Sequence, residues 1–87
     1  MVEIKPIVLR DVSYVLAHLR QSDAEEIWYQ MPEGTKPLEL AGHVINYGTG
    51  YTAYLNGQPV ACFGTQPMNA VAHLAWAFGT DRMQRAI

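Results

Sequence analysis

Residues 51–64 read "YTAYLNGQPVACFG", and the reading of this stretch decides the fold. Residues alternate in period two on both sides of Asn56-Gly57. A type I′ turn needs positive φ at two successive positions, which Asn and Gly tolerate and β-branched residues do not. The stretch is therefore expected to form two antiparallel strands joined at Asn56 and Gly57. Pro67 to Asn69 read as a second turn, and "AVAHLAWAF", residues 70–78, as a third strand.

Upstream of residue 51 the period is helical. Val12, Val15, Leu16 and Leu19 fall at i, i+3, i+4 and i+7 behind Asp11, which reads as a helix cap. In "SDAEEIW", Ser22 and Glu25 have the spacing of a capping box, each side chain accepting from the other's backbone N–H. Ala24, Ile27, Trp28 and Met31 continue as a second apolar stripe, ended by Pro32 and Gly34. Pro37 suits the first position of a third helix. Leu38, Ala41, Val44 and Ile45 would face the core, with Gly48 or Gly50 closing the helix. Residues 2–8 alternate weakly and read as a strand, with Pro6 favouring an edge or irregular end. The expected fold class is α+β: a mainly antiparallel four-stranded sheet with two or three helices, in the order β-α-α-α-β-β-β.

Composition narrows the function. At 87 residues the chain is one domain or part of one. Charged residues make up 16%, against about 25% in typical globular domains, so burial against another chain is favoured. Six basic and eight acidic residues form no run, which argues against nucleic-acid binding. No stretch of about 18 apolar residues is present, so no membrane span is expected, and the N-terminus lacks the apolar core of a signal peptide. Cys62 is alone and lies inside a strand, where it reads as a small hydrophobe and not as a nucleophile. His18, His43 and His73 show no zinc-ligand spacing. Glu25 and Glu26 read as a cap and a solvated carboxylate. The aromatics spread through every element, mostly as core. No metal or cofactor site is expected.

"IKPIVLRDVSYVLAHLRQSDAEEI", "YLNGQPVACFGTQP" and "AWAFGTDRM" together resemble the first half of a GNAT-like acetyltransferase fold, and more narrowly a phage-encoded group related to internal virion proteins of podoviruses. The matching positions are Ile4, Pro6 and Asp11; Leu19, Arg20, Asp23 and Glu26; Gly57, Pro59, Phe63 and Gly64; and Trp76, Gly79, Thr80 and Asp81. In that fold a fifth strand splays from the fourth, the gap holding the pantetheine arm of acetyl-CoA. A Q/R-x-x-G-x-G/A loop after the fourth strand takes the pyrophosphate at a helix N-terminus. Here "WAFGTD" is followed by "RMQRAI": Arg82 and Arg85 are present, and no Gly-x-Gly/Ala follows. The resemblance thus implies a single domain over residues 1–87 without the fold's second half, and argues against acetyl transfer by this chain.

The function so implied is that of a phage virion component, interior or near the portal and tail, made in the host cytoplasm and acting by packing against neighbours. Its partners would be other virion proteins or a missing C-terminal half, in an oligomer or larger assembly. The alternatives are the N-terminal part of an N-acetyltransferase using acetyl-CoA, or a small phage adaptor or inhibitor that binds a host protein. The expected contact is residues 70–87, with Leu74, Trp76, Phe78, Arg82, Met83 and Ile87 at the interface. This rests on both faces of the last strand being largely apolar while helices cover one of them.

Overall fold

The structure, a computed structural model, describes residues 1–46 and 49–85, and side chains as far as residue 83. It is α+β in the expected order. Strand β1 (Val2–Pro6) is followed by helices α1 (Leu9–Ala17), α2 (Gln21–Tyr29) and α3 (Pro37–Ile45). Strands β2 (Thr49–Leu55), β3 (Gln58–Pro67) and β4 (His73–Gly79) complete an antiparallel sheet of order β1-β2-β3-β4. A 3₁₀ turn spans Asp81–Arg85. The shortest dimension is 21 Å, the depth of one helix layer, about 10 Å across, laid on one sheet.

The hairpin turn forms as the sequence requires, with φ of 52° at Asn56 and 83° at Gly57. One irregularity follows it: the register shifts between Ala53 and Tyr54, so that β3 carries an extra residue there. The second turn is longer than expected. Met68 and Asn69 donate their N–H groups to the Ala72 carbonyl, and Asn69 Oδ1 accepts from Val71 N–H, so β4 begins at His73 and not at residue 70. The first strand stops at Pro6, which has no N–H to continue the ladder, although Ile7 N–H still reaches the Gly50 carbonyl at 3.1 Å.

Two expected helix caps are not made. Val8, in extended conformation, stands at the start of α1, and Asp11 lies inside its first turn, buried, accepting a hydrogen bond from the Tyr54 hydroxyl. A carboxylate is favoured there by the helix dipole. The Ser22–Glu25 box is likewise absent. Helix α2 starts two residues early, at Gln21 with Arg20 at the N-cap, leaving Ser22 exposed, while Glu25 accepts from Gln21 Nε2 at 3.0 Å. Tertiary pairing overrides the local signal: Arg20 N–H bonds the Gly79 carbonyl at 2.9 Å, and Leu19 bridges Thr80, so the end of β4 fixes where α2 begins.

Helix α3 starts at Pro37 as expected, but with a different phase. Leu40, Ala41 and Val44 are buried, whereas Leu38 is exposed. Leu38 lies two positions, about 200° of helical rotation, from Leu40 and so points away. Asn46 closes the helix, its side chain donating to the Gly42 carbonyl; Gly48 and Tyr47 lie outside the described residues, and Gly50 belongs to β2. The core joins Val12, Val15 and Leu16 of α1 to the three α3 residues, with Cys62 and Phe78 rising from the sheet. The stripe on α2 packs at its margin, with Ile27, Trp28 and Met31 half-buried.

Candidate interaction surface

Strand pairing sorts the side chains of the sheet onto two faces. The helix side carries Thr52 beside Cys62 beside Phe78, and Gly50 beside Gly64 beside Trp76. The two glycines make room for the indole: a Cβ at Gly64 would come within 2.8 Å of Trp76 Cζ2, and one at Gly50 within 3.1 Å. Trp76 and Phe78 stack, with ring centroids 5.7 Å apart.

This placement reverses the orientation expected of Trp76 and Phe78. Phe78 is buried in the core and Trp76 is half-buried, both beneath the helices and not on the uncovered side. Leu74 is 49% exposed at the end of the same row. It borders a groove of about 460 Å³ between α2, α3 and β4, walled by Ile27, Met31, Leu40, Val44, Trp76 and Phe78. Arg82 is half-buried on the 3₁₀ turn. Met83 lies over Gly79, where an added Cβ would meet its sulfur at 2.7 Å. Ile87 lies outside the described residues. The five described residues therefore do not form one exposed patch.

The uncovered face is built from other residues. Its alanine row runs Ile4, Ala53, Ala61, ending at Gly79 beneath Met83. Its aromatic row runs Pro6, Tyr51, Phe63, Ala77, with the Tyr51 and Phe63 rings 6.0 Å apart. Val2 beside Leu55 and Thr65 beside Ala75 extend the two ends. No side chain in these rows is charged. Ile4 is 60% exposed, Val2 46% and Tyr51 39%.

The polarity of β1 runs opposite to what a solvated edge would need. Glu3 and Lys5 point to the helix side, where they approach each other at 3.8 Å and Lys5 Nζ lies 5.5 Å from the Tyr54 ring centre. Val2 and Ile4 point to the side that has no helices. A shift of one residue would exchange the two sets, yet the observed register, Glu3 with Tyr54 and Lys5 with Thr52, turns the apolar set outward.

Polar chemistry gathers on the helix side. Asp23 Oδ2 accepts from Gly79 N–H at 2.8 Å and from Arg20 Nε at 3.0 Å, clasping the start of α2 to the end of β4. Burial pushes the Tyr54 phenol up to about 12, with its bond to Asp11 acting in the same direction. Burial likewise pushes the Cys62 thiol up to about 11, against the small opposing effect of its contact with Thr52 Oγ1. A thiol held protonated and fully enclosed packs as an apolar group. Among the described residues no three His, Cys, Asp or Glu side chains are grouped as a metal would require, and no helix is long and apolar enough to cross a membrane.

Comparison with protein-family models, with curated proteins and with solved structures finds no match to this chain.

Proposed function

We propose that the chain works by packing, as a phage virion component with a degenerate acetyltransferase-like fold, and that a neighbouring subunit covers the open face of its sheet. The observation that carries this reading is the polarity of β1, whose apolar residues Val2 and Ile4 face the side without helices. Fully burying such side chains stabilises an interface by about 1.5–3 kcal/mol each. Low charge over the whole chain, 16% of residues, adds support. The interface so proposed is the open face with Met83 at its corner, in place of the row from Leu74 to Phe78. Ile4→Lys, made in the natural context, tests it. Incorporation into particles should be lost while the far-UV spectrum and melting temperature hold. Normal incorporation of a folded Ile4→Lys protein would sink the reading.

A further inference from the structure

We infer that the neighbour on the open face is a second copy of this chain, packed sheet on sheet about a twofold axis, an inference that rests on the packing reading above. Area is the first argument. Four strands about 4.8 Å apart, each about seven residues long at 3.3 Å per residue, present roughly 440 Å² in plan. With side-chain relief, two such faces bury on the order of 1,000 Å², the threshold of a specific interface. A single partner helix, about 10 Å wide, would cover only half of the face.

Charge is the second argument. Apart from the Tyr51 phenol and the His73 imidazole at the Pro67 end, the rows carry no ionisable side chain, so the face does not repel its own twin and offers no carboxylate or ammonium to a basic or acidic partner.

Relief is the third. The aromatic row, Tyr51 and Phe63, stands directly beside the alanine row, Ala53 and Ala61. A twofold axis lying in the interface, parallel to these rows and between them, sets each aromatic ridge onto the alanine row of the twin. Tyr51 of one copy then meets Ala53 of the other, while Phe63 comes over the end of the row where Ala61 is already buried, at 8% exposure. Such an interface is isologous and closed, so assembly stops at the dimer. Sheets packed face to face lie about 10 Å apart with strands near 30°, a separation these interleaved rows can fill.

The test uses the 87-residue chain in sedimentation equilibrium, with Tyr51→Lys and Ala53→Glu as variants. The wild type should run at twice its 9.7 kDa mass. Each variant alone places an unpaired charge in the interface twice, and should weaken the dimer by about tenfold or more. An equimolar mixture should recover a mixed dimer, because the cation of Tyr51→Lys in one copy meets the carboxylate of Ala53→Glu in the other. Melting curves check the fold, and should Tyr51→Lys not fold, Ile4→Lys, which faces Pro6 of the twin, replaces it in the single-variant measurement only. A wild type that is monomeric at every concentration overturns the second copy. A dimer indifferent to the variants does so too, since it forms through another surface. Neither result touches the packing reading itself, which falls only when the charged variants still enter particles.

Discussion

Cys62 and Gly64 lie two residues apart on β3, on the same face, and serve the core in different ways. Cys62 fills space beneath α1, with its proton held. Burial pushes this thiol up from its ordinary value of 9 to about 11. The folded state thus binds the proton more tightly. The associated stability is complete below pH 9 and is lost as pH rises from 9 through 11; Tyr54, pushed from 10 to about 12, adds to the loss from pH 10 upward. Melting temperature should therefore fall through this alkaline range, and less steeply in Cys62→Ala. At pH 8 a thiol reagent should modify Cys62 only as fast as the protein unfolds. Gly64 has the opposite duty, leaving a gap. A Cβ there would overlap the Thr49 carbonyl and crowd the Trp76 ring, so Gly64→Ala should cost about 1–3 kcal/mol by overpacking, read from denaturant melts.

At the scale of elements, short-range signals were legible where they acted alone. Asn56-Gly57 has no competing partner and makes the turn that its backbone preferences dictate; Pro37 starts its helix for the same reason. The α1 stripe was equally readable, because Val12, Val15 and Leu16 need only a helical period to converge. The capping box was not, since Ser22 loses to a contact 56 residues away, Asp23 with Gly79. No local pattern contains that information. Ser22→Ala should accordingly change stability by less than about 0.5 kcal/mol, the range of ordinary surface substitutions. Asp23→Ala should cost about 1–3 kcal/mol, because it leaves the Gly79 N–H without its acceptor. Equilibrium unfolding of the two variants separates these outcomes. The open face was partly legible too. The V-E-I-K alternation of β1 names two faces, but only pairing with β2 says which faces the helices. Trp76 and Phe78 misled for the same reason: a strand apolar on both faces does not declare its orientation.

Over the whole molecule, a layer of helices lies on one side of the sheet, and the other side carries aromatic, alanine and branched side chains with no charge among them. The central claim is that the open face is dry in the assembled protein. Hydroxyl-radical footprinting tests it most directly, because Tyr51 lies on that face at 39% exposure while Tyr29, at the end of α2, is 91% exposed and serves as an internal reference. Assembly should slow oxidation of Tyr51 several-fold relative to dispersed chain and leave Tyr29 unchanged. Equal oxidation of Tyr51 in the assembled and dispersed states would contradict the account.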